Sequence, residues 1–135
     1  MRLYLADESQ TVDVGTGSVW YSLYSTAVVR LPEEKKNAMS LALVFLKTGE
    51  CKADNAEETA RQVNLVRDAL ALIPPENAVF DLHDLKKPAP WAGKINPVIT
   101  SCANLYTTAD GQDLFFEVVS LLCSAARKKQ AVHVE

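Results

Sequence analysis

The sequence predicts an α+β fold: a single domain over residues 1–135, with a mainly antiparallel or mixed sheet and three to four helices packed on it. Three observations carry this reading. Strand-like alternation appears at both ends of the chain, in RLYL (2–5) and AVHVE (131–135). Helical periodicity dominates between them, most clearly over residues 55–73 and 113–129. Strands and helices are also interspersed without the regular strand–helix–strand units of a parallel sheet.

Taken in order, RLYL and the alternating TVDV (11–14) read as two strands joined by a polar turn. Ser18 then stands as a helix N-cap before VWYSLYSTAVVRL. That run is rich in β-branched and aromatic residues, which suit a strand. Val19, Leu23, Ala27 and Arg30 nevertheless share a helical face, and the helix is preferred. Pro32, Glu33 and Glu34 open a second helix with proline in the first turn and acids near the positive end of the dipole. Ala38, Ala42, Phe45 and Leu46 fall on one of its faces, and Gly49 closes it.

Asn55 and Glu58 resemble a capping box for a third helix. There Val63, Val66, Leu70 and Ile73 recur at helical spacing until Pro74-Pro75 stops the run. AVFDL (78–82) and NLYT (104–107) read as further strands, and Ala109-Asp110-Gly111 as a turn. The last helix carries Leu114, Val118, Leu121, Leu122 and Ala125 on one side. Asp113 and Glu117 sit near its start and Arg127 to Lys129 near its end, the order the dipole favours. The closing AVHVE alternates like an edge strand.

Composition narrows the function. The chain has 135 residues, 48% hydrophobic and 23% charged, close to the globular average and against disorder. Fourteen Lys and Arg against 17 Asp and Glu leave a formal charge of −3. That opposes direct binding of nucleic acid, which calls for a dense basic surface. No apolar run approaches the roughly 20 residues of a membrane span, and MRLYLADESQ lacks a signal-peptide core. Three cysteines, Cys51, Cys102 and Cys123, are an odd number without paired spacing, as expected of a reducing cytoplasm.

The usual chemistry-bearing motifs are not met. Gly15-Thr16-Gly17-Ser18 lacks both the lysine of a Walker loop and the third glycine of a dinucleotide loop, so it reads as a turn. His83 stands between Asp81 and Asp84, where it could act as a base or ligand or lie solvated in a loop. His133 is distant in sequence, and no metal-binding spacing occurs. Cys123, within Leu121-Leu122-Cys123, reads as a small core residue. A site near His83, Asp84 and Cys102 is the alternative that a small enzyme or ligand-sensing domain would use. No cofactor is implied.

The oddest stretch is PAPWAGKINPVITSCANLYTTADGQDLF, residues 88–115, irregular and proline-rich in mid-chain. Pro88 and Pro90 stiffen the approach to Trp91, and Gly93 permits a turn after it. Trp91 is either a loop anchor over the core or an interface anchor, tryptophan being favoured at binding hot spots. Asp81, Asp84, Asp110 and Asp113 bracket the segment. Such charges are usually just solvated. Together with Trp91 they would also form an acidic, aromatic-centred rim suited to a basic partner.

GTGSVWYSLYSTAVVRL, QVNLVRDALALIPPENAVFD, PAPWAGKI and ITSCANLYTTADGQDLFFEVV, in that order, resemble the immunity protein 70 family of bacterial polymorphic toxin systems. The likeness runs from about Leu3 to Leu122, with the Pro-Trp-x-Gly and Thr-x-Asp-Gly-x-Asp-Leu-Phe turns its most specific parts. The resemblance implies a cytoplasmic protein without catalytic activity that binds and neutralises a cognate polymorphic or contact-dependent toxin. That toxin domain would be a nuclease in the commonest case, and the immunity protein a monomer rather than a homodimer. The family supplies no binding motif to carry over. The expected toxin-binding residues Asp81, Asp84, Trp91, Asp110 and Asp113 rest on the physical argument alone.

Overall fold

A computed structural model describes residues 1–135. Its sheet has three antiparallel strands: β1 (Arg2–Leu5), β2 (Thr11–Asp13) and β3 (Val132–Val134), in the order β2-β1-β3. Leu3 lies opposite Val12 on one side and Val134 on the other. Leu3, Leu5, Val12 and Val132 all point into the core. The closing strand is thus an edge strand, as its alternation predicts.

Five helices follow one another between β2 and β3: α1 (Gly17–Arg30), α2 (Glu33–Asn37), α3 (Ser40–Thr48), α4 (Ala56–Leu70) and α5 (Leu114–Lys128). α5 lies against the sheet, α4 packs along α5, α3 along α4, and α1 along α3. One hydrophobic cluster runs through all of these layers. Trp20 of α1 meets Phe45 of α3 edge-on inside it, with ring centroids 5.4 Å apart.

Local chemistry sets several boundaries differently from the sequence pattern. The helix expected from Pro32 to Gly49 is broken at Ala38–Met39, where buried Met39 turns inward. The break frees amides at the start of α3. Gln62 of α4 satisfies them, its Oε1 accepting from the Leu41 and Ala42 amides at 2.8 and 3.1 Å. Gly49 closes α3 as expected, at φ 77°.

α1 begins at Gly17 with Thr16 as the flanking residue, so Ser18 lies inside the helix rather than capping it. The Asn55–Glu58 capping box does not form. A single 3-10 turn (Ala53–Asn55) leads into α4, and Glu58 pairs with Arg61. Asp113 does cap α5, accepting from the Phe116 amide at 2.9 Å.

The larger departure lies between residues 78 and 113, where no strand forms beyond a single bridge from Thr107 to Asp113. The strands expected at AVFDL and NLYT are absent because their backbone groups bond elsewhere. Both backbone groups of Val79 go to side chains of α1, and the Tyr106 carbonyl accepts from the Leu114 amide.

Candidate functional site

An irregular segment longer than about 15 residues in a small domain is unusual, and most such loops are functional. What holds this one in shape is a ring of hydrogen bonds that begins and ends at Val79. Ser22 and Thr26 stand one turn apart on α1, so their hydroxyls share a face. The Val79 amide donates to Thr26 Oγ1 at 2.8 Å, and the Ser22 hydroxyl donates to the Val79 carbonyl at 2.8 Å. Tyr106 Oη lies between the two hydroxyls, 2.8 Å from Thr26 Oγ1 and 3.0 Å from Ser22 Oγ.

An amide only donates and a carbonyl only accepts. Val79 N therefore donates into the ring at Thr26 and Val79 O accepts from Ser22, with Thr26 Oγ1 a second donor in reach of that carbonyl at 3.2 Å and the Tyr106 hydroxyl bridging the two side chains. All four residues are buried, and burial pushes the Tyr106 phenol up to about 12. A fully satisfied buried network of this kind fixes its members in one arrangement.

The aromatic surface is built on that ring. Trp91 meets the Tyr106 ring edge-on at a centroid distance of 6.0 Å, and Phe80 meets Trp91 the same way at 6.0 Å. Lys87 Nζ then sits 5.6 Å above the Phe80 ring. Trp91 is half-buried, combining the core contact of a loop anchor with an accessible edge. At its far end the segment is tied down by Cys102, whose amide donates to Ile73 O at 2.9 Å and whose thiol donates to Pro74 O at 3.3 Å. Asn104 fastens the neighbouring turn, accepting from the Thr100 and Ser101 amides and donating to Val98 O.

The four predicted acids fall into two groups. Asp81 and Asp84 each cap a turn of the irregular segment, accepting from the amides of His83 at 2.9 Å and Lys86 at 3.3 Å. Asp110 lies in the turn 108–112, which is pinned to β2 by the bond from the Ala109 amide to Asp13 O at 2.8 Å. Asp110 accepts from the Thr108 hydroxyl, and Asp113 caps α5. Asp110 lines a shallow cavity of ≈ 480 Å³ with Asp13 and Glu117, and no cation lines it. Trp91 lies in a different cavity, whose charged neighbours include Arg30, Lys86 and Lys87.

His83, Asp84 and Cys102 are not brought together. Cys102 is fully buried, its thiol bonded to a carbonyl and raised to about 11 by desolvation. His83 and Asp84 are exposed in their turn, and none of the five main cavities is lined by any of the three. The groove between α3 and β3, ≈ 420 Å³, holds Cys51 and His133. There burial also raises the Cys51 thiol, away from the thiolate a nucleophile needs. No three His, Cys, Asp or Glu side chains gather as a metal site. Cys123, expected in the core, is exposed on α5. Its place in the Leu-Leu-Cys run falls just beyond the apolar face that Leu121, Leu122 and Ala125 bury.

These features describe a small α+β protein with a long irregular segment held in one shape from below. The chain belongs to the immunity protein 70 family, whose model matches residues 3–134. No curated protein and no solved structure matches it. Family membership supports a role in immunity to a toxin. No helix is long and apolar enough to cross a membrane.

Proposed function

We propose that this protein neutralises a cognate toxin domain of a polymorphic or contact-dependent system by forming a stoichiometric complex with it in the cytoplasm. It transforms no substrate. The observation that carries the reading is the ring closed on Val79, with Trp91 packed edge-on against its Tyr106 and Phe80 edge-on against Trp91. A long irregular segment fixed in this way presents its surface at little ordering cost on binding.

The contact surface is the segment around Trp91, Asp81 and Asp84 together with the turn at Asp110 and Asp113 that ends it. The acidic notch of Asp13, Asp110 and Glu117 attracts a basic enzyme such as a nuclease and speeds encounter. A stable complex of this kind buries about 1,600 Å² in total, and one copy of the chain serves one toxin domain.

Co-expression tests the reading. The C-terminal domain of a secreted protein encoded beside this chain's gene is induced with and without the chain. Growth arrest only when the chain is missing supports toxin binding, and equal arrest in both cultures refutes it.

A further inference from the structure

The Trp91 side of the irregular segment carries a second concavity, opposite in charge to the notch at Asp110. It encloses ≈ 250 Å³ and is lined by Leu85, Trp91 and Ile95 together with Arg30, Lys86 and Lys87. Glu76 is its single acid. The six ion pairs of the chain leave all three of these cations without a carboxylate partner. Arg30 is held in place by its Nε donating to Asn77 O at 2.8 Å, and Lys87 by its seat over Phe80. Leu85 is 63% exposed at the same place. The cavity is smaller than the roughly 300–1,000 Å³ of small-molecule sites and suits one or two side chains of a partner.

We propose that this concavity receives an acidic side chain of the toxin together with a neighbouring apolar one. It rests on the toxin-binding reading and adds to it the chemistry of one anchor. Three unpaired cations, two of them held in place, around an apolar lining favour a carboxylate delivered beside a hydrophobic group. The apolar lining of Trp91, Leu85 and Ile95 and the chain's net charge of −3 both disfavour a nucleic-acid backbone. With an acidic notch at Asp110 and a basic cavity at Trp91, the chain presents patches of both signs, and complementary patches on a toxin would orient it and exclude like-charged partners.

The test measures binding of the neighbouring-gene toxin domain to the intact chain and to three variants. Lys86→Glu with Lys87→Glu reverses the cavity, and Leu85→Ser removes its apolar rim. Lys47→Glu with Lys52→Glu makes the same change in net charge elsewhere. All replaced side chains are exposed, and thermal melts check the fold. The cavity reversal is expected to weaken binding about tenfold or more, chiefly through faster dissociation, and Leu85→Ser to weaken it in the same direction. The control pair should change binding less than about threefold.

Unchanged binding by the cavity reversal, or an equal loss in the control pair, overturns the anchor and leaves toxin binding standing. Absence of any complex with the unaltered chain overturns both. Tight binding of a fluorescent single-stranded RNA, lost on cavity reversal, would assign the cations to nucleic acid and likewise overturn the proposal.

Discussion

Thr26 Oγ1 and Tyr106 Oη lie 2.8 Å apart, and through that contact the first helix of the chain is joined to the far end of its irregular segment. The two residues do not contribute equally. Thr26 also accepts from the Val79 amide, so Thr26→Val leaves a buried N–H without a partner and should cost about 1–3 kcal/mol. Tyr106→Phe removes one hydroxyl but leaves Ser22 bonded to Val79 O and lets Thr26 turn to the same carbonyl, 3.2 Å away. Its cost should be nearer 1 kcal/mol. Urea melts of the two variants check the order, and a larger loss in Tyr106→Phe would mean that the ring is wired differently.

Alkali should weaken the fold through the same residue. Burial raises the Tyr106 phenol to about 12 from its ordinary 10.0 and the Cys102 thiol to about 11 from 9.0. Above the ordinary values the unfolded chain loses these protons while the folded chain keeps them. The contribution is therefore complete below about pH 9 and is lost as pH rises towards 12. Urea midpoints measured across that range should fall, and Tyr106→Phe should flatten the part of the fall above about pH 10. A profile unchanged by that substitution would contradict the assignment.

Thiol reactivity separates the cysteines. Exposed Cys123 should react with Ellman's reagent on mixing, while Cys51 and Cys102 react only on unfolding. One equivalent released from the native chain and three from the denatured chain is the expected count. A prompt second equivalent would show that one of the buried pair is more open than described.

Two glycines should respond with opposite signs. At Gly49, φ is 77° and an added Cβ would come within 3.1 Å of Met1 and Val134 side-chain atoms. Gly49→Ala should cost about 1–2 kcal/mol from backbone strain alone, with the contact adding to it. Gly17 opens α1 with no neighbour within 4 Å, and Gly17→Ala should stabilise by about 0.4–1 kcal/mol. Calorimetry on the pair decides the point.

The charges of Asp81, Asp84 and Asp110 can be separated from their turn-capping bonds. Asparagine keeps the side-chain oxygen that accepts from the His83 and Lys86 amides and the Thr108 hydroxyl. The triple Asp→Asn variant should fold normally and associate with the toxin domain several-fold more slowly at low salt, with the difference fading at high salt. Stopped-flow association rates would place the acids outside the interface if they did not change.

The sequence and the structure agree where periodicity governs. α4 and α5 were legible because Val63, Val66 and Leu70, and Leu114, Val118 and Leu121, repeat with the helical turn and are all buried. The terminal strands were legible from alternation. AVFDL misled because its β-like composition says nothing about where backbone bonds go, and Val79 spends its own on α1. The break before α3 depends on Gln62, twenty residues downstream of Ala42, which no local window contains. One signal for the buried ring was present: Ser22 and Thr26 lie one turn apart on α1, and most buried hydroxyls find partners. No local window contains the unpaired cations around Trp91, because Arg30 is remote in sequence from Lys86 and Lys87.

The central claim is inhibition by occupancy, and a titration of toxin activity tests it most directly. Purified chain is added stepwise to a fixed amount of the purified toxin domain, and the residual toxin activity is followed. The account predicts a straight fall that reaches zero at one equivalent. Loss of activity at far below one equivalent would reveal turnover, and undiminished activity at excess would show that this protein does not act on the toxin by binding it.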